Sequence, residues 1–134
     1  YIEDQPVINP DLLDLPANAE EARVAIIHVY LNYVDYCKEL GVSFISGYYT
    51  PKNQALNPAI RTERSYPIVT VQHYVEKAVG AGVIQLNLGI EEFTTDIRMI
   101  VIGNVFEWCL REGNTCFEEN MRRSLEKYLE STIS

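Results

Sequence analysis

The stretch MIVIGNVFEWCLREGN, residues 99–114, restricts the possible folds of this chain more than any other part of it. Its polar residues are sparse: Asn104, Glu107, then Arg111 and Glu112. On a 3.6-residue period its apolar side chains point in nearly every direction, so a helix built from it has two faces to bury. One stripe carries Ile97, Ile100, Val101, Asn104 and Trp108, and the opposite one Met99, Ile102, Phe106, Cys109 and Leu110. The core of one domain covers one face, and the other is covered by a second body or by an unusually deep monomeric core.

The chain has 134 residues, 47% of them hydrophobic. That is one ordinary domain, able to hide roughly 70% of its unfolded surface without staples. The three cysteines, Cys37, Cys109 and Cys116, lie in or beside helical patterns with no CxxC pair and no His at ligand spacing, which predicts reduced thiols, no metal site and no cofactor. No apolar run approaches the ~20 residues of a membrane span, and the chain opens on Glu3, Asp4 and prolines rather than a basic leader, so a cytoplasmic protein without anchor is expected. A net charge of −8, with 11 scattered Lys and Arg residues, repels phosphate backbones. This chain by itself is a poor nucleic-acid binder.

Residues 1–17 hold three of the six prolines and read as a lead-in rather than a helix. Asn18 can cap a helix whose third residue is Glu21, and Ile26, Ile27, Tyr30, Tyr33, Val34 and Cys37 continue it at helical spacing until Gly41 stops it. A short helix over Val42–Tyr49 follows, broken by Pro51 and the polar loop TPKNQALNPAIRTERS. Pro67 opens the next helix, which runs through Ile68, Val71, Val75 and Val79 to the glycines at 80–82. After the connector VIQLNLG, the helix of the opening stretch extends from about Ile90 to Glu112 and is closed by Gly113. Thr115 and Glu118 have capping-box spacing for a last helix through about Ser131. Helical segments with no alternating strand pattern predict an all-α fold, since even YPIVTV is continued at i+3 and i+4 by Val75, Ala78 and Val79.

No catalytic set is proposed by the residues. A nucleophile needs a base within reach and a group to orient that base. His28 and His73 sit on different helices, and the Glu pairs 91–92 and 118–119 are accounted for by helix dipoles. A non-enzymatic role is expected. The nine tyrosines are more informative, because five of them, Tyr30, Tyr33, Tyr36, Tyr48 and Tyr49, fall in one helix-turn-helix region with Phe44. An aromatic cluster with a few polar tips is what a small-molecule pocket needs, and it also suits an ordinary core rimmed by tyrosines.

The last helix has its own apolar stripe, Phe117, Met121, Leu125, Tyr128 and Leu129, beside a face bearing Glu119, Arg122, Arg123, Glu126 and Lys127. Two adjacent antiparallel helices with apolar surface to spare suit a two-fold interface, where the same pair from a second copy completes a four-helix bundle. Gly103 costs about 1 kcal/mol in mid-helix and is explained by close approach of another backbone.

The run IRMIVIGNVFEWCLREGN, followed after a short turn by FEENMRRSLEKYLESTI, resembles the end of TetR-family transcriptional regulators. YLNYVDYCKELGVSFISGYYTPKNQAL is similar to one branch of that family, in which a helix ending Glu-Leu-Gly precedes a Tyr-Thr-Pro-Lys-Asn loop. Together the matches span roughly residues 24–131. The resemblance implies a homodimeric effector-binding domain over residues 18–134. Residues 1–17 would be an interdomain lead-in, truncated from a helix-turn-helix DNA-binding domain that precedes it and is missing here.

Operator DNA would be met only through that N-terminal domain. A ligand would favour a subunit arrangement that moves the reading helices out of register with half-sites about 34–36 Å apart, as in a repressor. Carried over by position, Ile97, Val101, Gly103, Asn104, Trp108, Phe117, Met121, Leu125 and Tyr128 would form the dimer interface. Tyr30, Tyr33, Phe44, Tyr48, His73, Tyr74, Met99 and Phe106 would line the pocket for an effector whose identity the residues leave open. The competing reading is a self-contained helical interaction domain with no small-molecule site.

Overall fold

The computed structural model describes residue 12, residues 14–48 and residues 66–134, apart from the side chains of Tyr48 and Tyr66. The loop with the Tyr-Thr-Pro-Lys-Asn motif and most of the proline-bearing lead-in fall outside the described residues. The described part is all-α, with five helices: α1 (Ala19–Leu40), α2 (Val42–Tyr48), α3 (Tyr66–Gly80), α4 (Ile90–Leu110) and α5 (Phe117–Thr132). α1 and α4 are the long members, and each packs against α2, α3 and α5.

Local chemistry sets the ends of α1. The Asn18 side chain accepts the Glu21 N–H at 2.9 Å, and the Glu21 carboxylate reaches back to accept the Ala17 N–H at 3.0 Å, so the free donors of the first turn find partners. Gly41 stops the helix at φ +93°, a conformation costly for any residue with a Cβ, and its N–H bonds the Cys37 carbonyl. The stripe Ile26, Ile27, Tyr30, Tyr33, Val34 and Cys37 is buried throughout.

The other helices follow their patterns with two corrections. On α3 the inward residues are Ile68, Val71, Val75 and Ala78, whereas Val79 is exposed because it lies a further 100° around the helix from Ala78. The last helix does not begin with a capping box at Thr115. α5 starts at Phe117 with Cys116 as its N-cap and no side-chain cap bond, since the chain must first turn through Glu112 and Gly113, both at positive φ.

Among the described residues β-pairing is limited to an isolated antiparallel bridge between Leu86, in the α3–α4 connector, and Ile133. One core joins all five helices, with Tyr30, Phe93, Phe117 and Ile26 among its largest wholly buried side chains.

Candidate functional site

α4 resolves the two-faced helix. Phe93, Ile97, Val101, Val105 and Trp108 form its buried stripe, and Trp108 stacks on Phe117 of α5 with ring centroids 4.8 Å apart. Met99, Phe106 and Leu110 are 63%, 61% and 62% exposed on the other side, and a Cβ placed on Gly103 between them meets nothing within 4 Å. Positions 99, 103, 106 and 110 recur at steps of 4, 3 and 4, which makes one apolar row along the outside of the helix. Both stripes were legible, but which of them faces inward is reversed. Met99 and Phe106, expected on the inner face toward a pocket, face outward. Ile97, Val101, Trp108, Phe117, Met121 and Leu125, expected at a subunit interface, are buried within the single chain.

The reason is phase. The inward row begins at Phe93, two turns before the opening stretch, and Phe93 and Val105 fix its direction toward the apolar faces of the neighbouring helices. Among the described residues Gly103 faces open space, with none within 4 Å of the place its Cβ would take.

Asn104 and Tyr128 join α4 to α5 at partly buried positions. Asn104 Nδ2 donates to the Ile100 carbonyl and to Ser124 Oγ, both at 2.9 Å, while Ser124 Oγ donates to the Asn120 carbonyl at 2.7 Å. The Tyr128 hydroxyl donates to Asp96 at 2.7 Å. Burial raises the Tyr128 phenol well above its ordinary value, and the bond to Asp96, that carboxylate's charge and that of Glu92 push the same way.

The expected pocket residues are not brought together as one set. Tyr30, Tyr33 and Tyr74 are buried, Phe44 is 48% exposed, His73 is exposed, and the Tyr48 side chain is outside those described. Phe44 turns outward because Ile45, its neighbour on the seven-residue α2, takes the inward position. The gap beside Tyr30, among Ile68, Val71, Phe93 and Ile97, is too narrow to admit a water molecule.

A larger concavity lies where the sequence suggested none, between the lead-in, the first turns of α1 and Tyr74 of α3. It offers about 320 Å³ of open space. Asp14 and Leu15 line it from the lead-in, and Glu21, Val24, Ala25 and His28 from α1. Leu15 at 47% and Val24 at 45% exposed leave apolar surface uncovered along it.

All three cysteines are free: Cys37 buried, Cys109 partly so and Cys116 exposed. Burial pushes the Cys37 thiol up to about 12, against a smaller opposing pull from a hydrogen bond with Tyr33. Among the described residues no group of three or more His, Cys, Asp and Glu converges to hold a metal, and no helix is long and apolar enough to cross a membrane. Comparison of the chain with protein-family models, curated proteins and solved structures finds no match.

Proposed function

We propose that this chain is the effector-binding and homodimerisation domain of a TetR-type transcriptional regulator, acting as a repressor through an N-terminal helix-turn-helix domain. The observation that carries the reading is the uncovered row Met99, Gly103, Phe106, Leu110 on a helix whose opposite face is the core. A soluble monomer has little reason to keep three large apolar side chains in line, and a two-fold mate covers such a row with its own copy. Gly103 at the middle of the row lets two helices cross closely. The family's last-two-helix bundle places its dimer contact on this same part of the chain, and the order and spacing of the sequence motifs support that likeness.

In this reading the α4–α5 pair transmits a ligand-induced change to the partner subunit. Ligand and operator then favour different arrangements of the dimer, so each weakens the binding of the other. Sedimentation equilibrium at micromolar concentration tests the dimer. The chain is expected to sediment as a dimer, and Phe106→Glu, which buries a charge in the contact, is expected to sediment as a folded monomer. A wild-type chain that stays monomeric at that concentration removes the physical basis of the reading and leaves a domain whose apolar row meets a different protein.

A further inference from the structure

We infer, on the reading of the chain as a homodimerisation domain, that the second copy lies antiparallel across α4 and that charge beside the apolar row selects this register, with Glu107 facing the partner's Lys127. The row Met99, Gly103, Phe106, Leu110 is bordered on one side by Asp96 and Glu107, each within about 40° of Gly103 around the helix. That side is the one toward α5, because Asp96 accepts the Tyr128 hydroxyl at 2.7 Å and Asn104 donates to Ser124 Oγ at 2.9 Å. On α5 the exposed Lys127 stands about 60° outward of Ser124, with Arg123 next to it, and the carboxylates Glu119, Glu126 and Glu130 lie further round. An acidic margin on α4 therefore runs beside a basic one on α5. Lys127 makes no ion pair or hydrogen bond among the described residues, and Glu107 gives only Oε2 to Arg111, at 2.9 Å.

Symmetry turns these margins into a self-complementary pair. An antiparallel two-fold crossing at Gly103 carries each residue past the one equally far on the other side of Gly103, and sets the α5 side of one copy against the α5 side of the other. Phe106 then meets the turn holding the partner's Met99, and Glu107 comes level with that same turn. Because α5 runs back along α4, with Tyr128 beside Asp96 and Ser124 beside Asn104, the partner's Lys127 stands at that level. Arg111 comes level with the turn between the partner's Glu92 and the partner's Asp96. Each link occurs twice in the dimer. A parallel crossing would instead set Glu92, which continues the row toward the helix start, against its own copy and would align the two helix dipoles. Exposed ion pairs are individually weak, so the apolar row supplies the strength of the contact and the charged margins its orientation and choice of partner.

The test is a charge swap in the full chain, with Glu107→Lys in one variant and Lys127→Glu in the other. Both positions are on the surface and leave the Tyr128–Asp96 and Asn104–Ser124 bonds in place, and helical circular dichroism checks that each variant folds. Alone, each variant sets like charges against each other twice, so its dimer dissociation constant is expected to rise about tenfold in sedimentation equilibrium. Mixed in equal amounts, the two restore opposite charges at both links. Native mass spectrometry is then expected to find about nine in ten dimers mixed, against the half that random pairing gives. Added salt should narrow that preference. A mixture that pairs at random overturns the register, whether or not either variant weakens alone, and Phe106→Glu then still reports whether the row is the contact. A wild-type chain that stays monomeric removes the domain reading itself, and this register with it.

Discussion

Cys37 lies wholly inside the core and Cys116 on the surface, and this difference in placement fixes their chemistry. With its thiol raised from 9.0 to about 12, Cys37 carries roughly a thousandfold less thiolate at pH 8 than an ordinary cysteine, before any loss of access is counted. An aromatic disulfide reagent at pH 8 is expected to titrate Cys116 at once and Cys37 only after unfolding; prompt reaction of Cys37 in the native chain would contradict its burial. The same shift has a stability consequence. The folded value lies above the unfolded one, so the contribution is complete below pH 9 and drains away as pH rises toward 12. Tyr128, raised from 10.0, acts in the same direction at still higher pH. Urea midpoints in reductant should therefore fall between pH 9 and 11. Tyr128→Phe should cost about 1–2 kcal/mol at pH 7 through its bond to Asp96, and should flatten that fall. A pH-independent midpoint over that range would refute the assignment.

At the scale of the helix, what could be read in advance depended on whether the pattern carried a direction. α1 was legible in its ends and inward face because Asn18, Glu21 and Gly41 mark the boundaries and its apolar residues hold one side. α4 gave its extent and both its stripes, but apolar residues on all sides leave the choice of inner face to the neighbouring helices, and Phe93 and Val105 decided it. The candidate pocket was less legible still. Tyrosines pack equally well in a core and around a ligand, and the cleft depends on where the lead-in sits against α1. Gly103 separates the two roles of α4. A Cβ there meets open space among the described residues, so Gly103→Ala should stabilise the isolated subunit by up to about 1 kcal/mol through helix propensity. In the proposed dimer the same methyl should weaken association, because there it would force apart helices proposed to cross at that point. Measuring urea stability in a monomeric Phe106→Glu background, and dimer dissociation in the wild-type background, reads the two effects apart. If Gly103→Ala leaves dissociation unchanged, the close crossing is elsewhere.

Across the whole molecule, distant parts of the chain are closed by a feature no local pattern announces. Gln85 and Ser134 exchange N–H to carbonyl bonds at 2.7 and 3.0 Å, and Asn87 bonds the Thr132 carbonyl through its backbone at 3.1 Å. Arg23 of α1 donates to the Ile133 carbonyl at 2.6 Å, and the Ile133 side chain is 1% exposed. In the sequence Arg23 is one scattered charge and Ile133 lies past the last helical turn, so only the fold brings them together. The clamp ties α1, the α3–α4 connector and the segment after α5 into one unit, closing long loops that cost entropy and reward only the complete structure. Arg23→Met keeps the aliphatic stem but removes the charged donor, with an expected cost of about 1–3 kcal/mol. Ile133→Ala should cost about 2–5 kcal/mol as a buried truncation. Because both act on one clamp, the double variant should lose less than the sum. Hydrogen exchange locates the effect: the Gln85, Asn87 and Ser134 amides should exchange faster in Arg23→Met, while Val101 in the middle of α4 changes only as far as global stability does. If Gln85 keeps its protection in Arg23→Met, the guanidinium is not what holds the segment in place.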